Sequence, residues 1–192
     1  MLENVLTKRN CTVRVKLTVK GLVSFGLIVL AVLLPQLVHL TLGQTGGIRW
    51  LPMYLPVLLA GCLLGVKWGI GVGALSPLVS FAVTSLWGDP MPAAARLPFM
   101  VAELAVFASV SGLFSSKIAQ NRWMAFPAVL LGQIAGRAAF LLLVVVFQAI
   151  TPFTPALILS QIETGLSGLV LQAVIAPLLV MGLGALIDKD RP

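Results

Sequence analysis

Six long apolar runs separated by short polar joints leave this chain few folds to adopt. They cover about 21–42, 51–66, 68–86, 94–115, 124–150 and 161–187. A helix that crosses a bilayer needs about 20 mostly apolar residues, because each residue adds 1.5 Å against a hydrocarbon layer about 30 Å thick. Within lipid the backbone must satisfy its own hydrogen bonds, so runs of this kind fold as helices. The expected fold is an all-α membrane protein, six transmembrane helices in one bundle. Charged residues make up 10% of the chain; a soluble domain carries roughly a quarter. The whole chain reads as a single transmembrane domain: a basic segment at 1–20, the bundle at 21–187 and a tail at 188–192.

The net charge of +7 would suggest nucleic acid in a soluble protein. Here the basic residues fall in the joints between apolar runs, and the preference of Lys and Arg for cytoplasmic loops accounts for them. With the N-terminus inside, the cytoplasmic segments hold Lys8, Arg9, Arg14, Lys16, Lys20, Lys67, Lys117, Arg122, Lys189 and Arg191, ten of the thirteen. Arg49, Arg96 and Arg137 are left for the outer side or the membrane. Both termini are therefore expected in the cytoplasm, with outer segments at about 43–50, 87–93 and 151–160. The basic stretch before residue 21 has the charge of a signal peptide, but the run after it is long enough to span and lacks a clean small-residue cleavage site. It reads as a first helix that stays. Cys11 and Cys62 form no metal or redox spacing and read as small apolar fillers.

Gly61, Gly65, Gly69 and Gly73 recur every four positions, Pro77 continues the series, and Gly132 pairs with Gly136. Spacing of four puts residues on one helical face, and in lipid such small faces let helices approach closely. The stripes either pack within the chain or meet a partner subunit. Prolines inside the runs, at 35, 52, 56, 77 and 177, tend to kink helices. Pro52 and Pro56 point to an irregular outer end of the second run, where a binding site could open.

Glu103 and Arg137 fall at mid-membrane depth on sequential antiparallel runs. A lone charge there costs several kcal/mol, so opposite charges at matching depth should pair. The pair either fixes the register of two helices or lines a polar cavity; as the floor of a site it does both. Arg96 is either a snorkelling interfacial cation or a cation at a pocket mouth. Trp50, Met53, Tyr54 and Trp87 form either an ordinary interfacial belt or a stacking surface for a flat ligand. Gln133 and Glu163 are further polar candidates, Arg49 and the lone His39 read as interfacial, and no metal cluster or Walker A sequence is present. With one histidine placed far outward, no nucleophile, base and orienting acid can be assembled, so the chain is not expected to be an enzyme.

The run Leu51-Pro52-Met53-Tyr54-Leu55-Pro56-Val57-Leu58-Leu59-Ala60-Gly61 is followed by Gly65, Gly69, Gly73 and Ser76-Pro77. Then come Met91-Pro92, Arg96, Glu103-Leu104, Ser111-Gly112-Leu113 and Ala135-Gly136-Arg137. This pattern resembles the substrate-binding (S) subunits of energy-coupling factor transporters, in the branch with an LPM-x-x-PVLLAG-like second helix. The likeness covers the second to fifth runs; the first and sixth match in length and composition. Tyr54 stands where a histidine is expected in relatives. The first run has no clean Ala-x-x-x-Ala pair and offers Gly21, Ser24 and Gly26 instead.

The resemblance implies a prokaryotic cell-membrane protein that binds a vitamin or related micronutrient from outside, with the first outer loop gating the pocket. It implies docking on a membrane T subunit driven by two ATPases, which alone bind ATP, so the chain needs no cofactor of its own. Arg96, Glu103, Arg137, Trp50, Met53, Tyr54, Trp87, Gln133 and Glu163 are the expected substrate-binding residues. Gly21, Gly26, Gly61 and Gly65 are the expected partner contacts. A self-sufficient carrier or channel, or a membrane-embedded enzyme or assembly factor, are the rival readings.

Overall fold

The computed structural model describes residues 1–2, 6–7, 12–149 and 153–189. Lys8, Arg9, Cys11 and Arg191 lie outside the described residues. Among those described the chain is helical and has no strand. Its principal helices are α1 (Val13–Trp50), α2 (Tyr54–Leu64), α3 (Val66–Ser85), α4 (Leu97–Leu113), the short α5 (Ser115–Gln120), α6 (Ala125–Phe147) and α7 (Pro155–Lys189). Single 3-10 turns, Ala94–Arg96 and Arg122–Met124, lead into α4 and α6.

Five helical segments among the described residues are long and apolar enough to cross a membrane: Val13–Gly43, Val66–Ser85, Ala94–Leu113, Arg122–Phe147 and Ala156–Leu186. The run at 51–66 yields only the 11 residues of α2, about 16 Å of helix, or roughly half the hydrocarbon thickness. Its position explains its composition. α1, α3, α4, α6 and α7 each pack on the next, and α7 returns to α1, so the long helices close a ring. α2 stands inside that ring and touches every member of it. Every α2 residue except Leu55 is buried, as expected of a helix that is apolar on all sides.

The exterior is apolar as well as the core. Leu22, Phe25, Leu40, Leu142, Val170 and Leu186 are exposed on the ring helices, while Ser76, Ser111, Gln133 and Gln172 are buried within it. An exposed apolar belt of this kind suits a multi-pass membrane protein. The buried hydroxyls return their protons to their own helices: Ser76 donates to the Val72 carbonyl at 2.7 Å and Ser111 to that of Phe107 at 2.8 Å.

Two expected boundaries are corrected. The first helix begins at Val13, not 21, because nothing between Val13 and Lys20 breaks it; Arg14, Lys16 and Lys20 ride on its first turns. The expected outer loop 43–50 is helical instead. Gly43 interrupts α1 at φ 70°, a left-handed conformation that glycine adopts without a Cβ penalty, and the chain turns back as a second helical piece to Trp50. Pro35, Pro77 and Pro177 lie inside helices. Pro56 sits in the first turn of α2, where a missing N–H costs nothing, and Pro52 lies in the link before it.

The glycine series acts within the chain. A Cβ on Gly61 would meet Ser111 Oγ and the Ala108 carbonyl, and one on Gly73 would lie 2.6 Å from the Leu104 carbonyl oxygen. α2 and α3 thus press their backbones against α4. Gly61 is enclosed by this packing, which corrects its expected place in a partner contact. Gly65, at φ 82°, makes the reversal between α2 and α3. Gly21 and Gly26 have open space beside them.

Candidate functional site

A cavity of about 400 Å³ opens where α1 doubles back, where α2 and α4 begin and where the loop 86–93 follows α3. That volume falls within the range of small-molecule sites. Pro35, His39 and Gly47 of α1 form one wall. Leu51, Pro52, Met53 and Tyr54 form the base. Ser80 and the loop residues Asp89 to Ala93 face them, and Arg96 and Met100 close the circuit from α4.

Each wall has a local cause. The break at Gly43 brings Gly47 back beside His39: a Cβ on Gly47 would lie 2.6 Å from the imidazole. The loop is held to α3 by its hydroxyls. Ser80 Oγ donates to the Met91 carbonyl at 2.9 Å, and the Met91 N–H donates to Thr84 Oγ1 at 2.8 Å. The base is held from α7. Gln172 Nε2 donates to the carbonyls of Trp50 at 3.0 Å and Leu51 at 2.8 Å. Gly168 lets the backbone at Arg49 and Trp50 come so close that a Cβ there would sit 2.5 Å from the Arg49 oxygen. Leu51 is left-handed at φ 49°, a conformation that costs a non-glycine residue roughly 1–2 kcal/mol; the Gln172 clasp offsets it.

Beneath the cavity lies the charge pair. Arg137 Nη1 and Glu103 Oε1 are 2.9 Å apart, with the Glu103 side chain fully buried. Tyr54 Oη donates to Glu103 Oε2 at 2.7 Å. The Arg137 guanidinium also lies over the Tyr54 ring, 4.9 Å from its centre, and Phe107 meets that ring edge-on at 5.0 Å. Arg137 Nε and Nη2 find no acceptor among the described residues. Neither Glu103 nor Arg137 reaches the cavity wall; Tyr54 alone belongs to both arrangements.

The expected site residues therefore divide. Met53, Tyr54 and Arg96 line the cavity, and Glu103 and Arg137 underlie it. Trp50, Trp87, Gln133 and Glu163 do not line it, and the physical reasons differ. Trp50 presents its carbonyl to Gln172 and its ring to the Arg49 guanidinium, 5.7 Å from the ring centre. Trp87 projects outward and is 72% exposed. Gln133 is on α6 and bonds the Leu169 carbonyl at 3.1 Å. Glu163 is exposed on α7. α6 and α7 complete the ring behind α2 and lend the cavity no wall. The interfacial reading of His39 is revised too, since it faces the cavity. Gln172 went unnoticed in the sequence; one amide in a long apolar run was its only signal.

Arg96 rests 5.6 Å over the Phe140 ring, its guanidinium making no hydrogen bond or ion pair among the described residues. No group of three or more His, Cys, Asp or Glu residues suited to a metal occurs among the described residues. No family model, curated protein or solved structure matches the chain.

Proposed function

We propose that this chain is the solute-capturing S component of an energy-coupling factor importer in a prokaryotic cell membrane. On this reading all six apolar runs form the transmembrane path, with α2 and its flanking joints as the short central pass and both termini in the cytoplasm. The solute is a vitamin or a micronutrient of similar size. A membrane T subunit and two ATPases supply the energy, and ATP binds only to those partners.

The observation that carries the reading is a cavity that opens at the end of the bundle poorest in basic residues and stops at a buried floor. Described cations toward the opposite end include Arg14, Lys16, Lys20, Lys67, Lys117 and Arg122; the cavity end holds Arg49 and Arg96. The positive-inside preference turns the cavity outward. The floor is packed and paired: Tyr54 helps form it, and Phe107 and Leu58 are buried, with the Glu103–Arg137 pair against the tyrosine. A one-sided receptor of this kind binds solute but needs another machine to release it inward.

The test is transport in defined vesicles. Solute that co-purifies with the protein is identified by mass spectrometry and then offered to proteoliposomes. Uptake should require ATP, the T subunit and both ATPases together with this chain. Accumulation in vesicles holding this chain alone would reject the proposal in favour of a self-sufficient carrier.

A further inference from the structure

The polar groups on the cavity wall are nearly all committed elsewhere. Tyr54 spends its hydroxyl proton on Glu103, and Ser80 spends its own on the Met91 carbonyl. The charge of Arg137 is matched by Glu103 below the floor, and Arg49 Nε turns to Ser167 Oγ at 3.4 Å. Of Arg49, Arg96 and Arg137, only Arg96 meets the cavity. It is half-buried, and its ring contact with Phe140 leaves the in-plane N–H donors of the guanidinium uncommitted. Arg96 is also the cap residue of α4, whose positive end adds to its field. His39 is the remaining uncommitted polar side chain inward of the rim, with Nδ1 buried and unpartnered among the described residues. Asp89 also borders the cavity, but on the exposed loop, where its carboxylate stays hydrated.

The rest of the wall is apolar and soft. Met53, Met91 and Met100 supply polarizable thioethers, and Pro35, Pro52 and Pro92 supply rigid flat faces. Such a surface accepts a flat or branched apolar body and offers it few hydrogen bonds.

We infer that the ligand is an organic acid with one anionic group on a mainly apolar body, its carboxylate held by the Arg96 guanidinium and its body lodged among the methionines. The inference rests on the capture reading and names its substrate class. A guanidinium presents parallel N–H donors that match a carboxylate in two-point contact. A neutral ligand would offer Arg96 only an uncharged acceptor, and a cationic one would repel it.

Matched probes test this. 1-Naphthylacetate and 1-naphthylacetamide share one flat bicyclic body and differ in charge. Titration calorimetry on the full chain in detergent should show the acid bound at least about tenfold more tightly, the range expected for a charge-assisted contact. Arg96→Gln should abolish that preference, with an unchanged melting temperature reporting that the fold survives. Equal binding of acid and amide, or survival of the preference in Arg96→Gln, would overturn the inference. So would failure of both probes to bind at about 1 mM. These outcomes are read without the T subunit or ATP, so they are separable from failure of the transport reading.

Discussion

Tyr54 Oη donates a 2.7 Å hydrogen bond to Glu103 Oε2, and this bond joins the wall of the cavity to a charge pair that the cavity itself never touches. The tyrosine ring lies between the solute space and the Arg137 guanidinium. Stability of the pair and shape of the site are therefore linked through one side chain.

Breaking that pair from either side should be costly. Arg137→Met leaves the Glu103 carboxylate in the bundle core without its cation, and Glu103→Gln strands the guanidinium. Each should lose about 3–5 kcal/mol. The double variant removes both charges, and its glutamine still accepts from Tyr54. It should return to within about 1–2 kcal/mol of the parent, since a buried pair can be replaced by neutral groups at small net cost. Unfolding in mixed micelles measures all three. Additive losses in the double variant would mean that the two residues do not act as a pair.

The depth of this pair was legible in the sequence; the direction of its side chains was not. Counting residues from the ends of two antiparallel runs fixes the height of Glu103 and Arg137, because helical rise is constant. Azimuth is different. A membrane helix is apolar toward lipid and toward its neighbours, so periodicity does not say which face turns inward. Gln133 and Glu163 thus resembled pocket residues, although α6 and α7 stand behind α2. The same uniformity gave no sign that α2 stands at the centre of the ring, where the structure puts it. The helical turn after Gly43 was hidden for another reason: Gly43, Gly46 and Gly47 suggest a loop by composition, and only the close seat of His39 on Gly47 shows how the chain doubles back.

The glycines should separate by location. Gly73→Ala and Gly112→Ala each introduce a Cβ less than 3 Å from backbone atoms of the facing helix. Relief requires moving a helix, and a loss of about 1–3 kcal/mol is expected, as for over-packing in general. Gly21→Ala and Gly26→Ala meet nothing within 4 Å. They should leave stability unchanged or raise it by up to about 1 kcal/mol through helix propensity. Thermal unfolding of the four variants checks the order, and a destabilised Gly21→Ala protein would contradict it.

Gln172 should matter to binding although it lies outside the cavity. Its amide holds the Trp50 and Leu51 carbonyls where the chain passes from α1 to α2. Gln172→Leu keeps much of the volume but releases both acceptors and the left-handed Leu51. Amide exchange across 44–53 should then accelerate, while exchange in α3 and α4 stays near the parent rate. Solute affinity should fall about tenfold, through a disordered base and not a lost contact. Unchanged exchange in that segment would show that the clasp has no part in shaping the site.

Orientation can be read directly from cysteine labelling. The end that holds Lys67, Lys117 and Arg122 should face the cytoplasm, because short loops rich in Lys and Arg are retained there. The cavity end should face outward. In a background with Cys11→Ser and Cys62→Ala, Ala94→Cys marks the cavity end and Gln120→Cys the basic end; both positions are exposed. A membrane-impermeant maleimide should modify the Ala94→Cys protein in intact cells and the Gln120→Cys protein only after permeabilisation. Labelling in the opposite order would turn the cavity toward the cytoplasm. A capture subunit for import cannot work that way round, since its solute would already be inside.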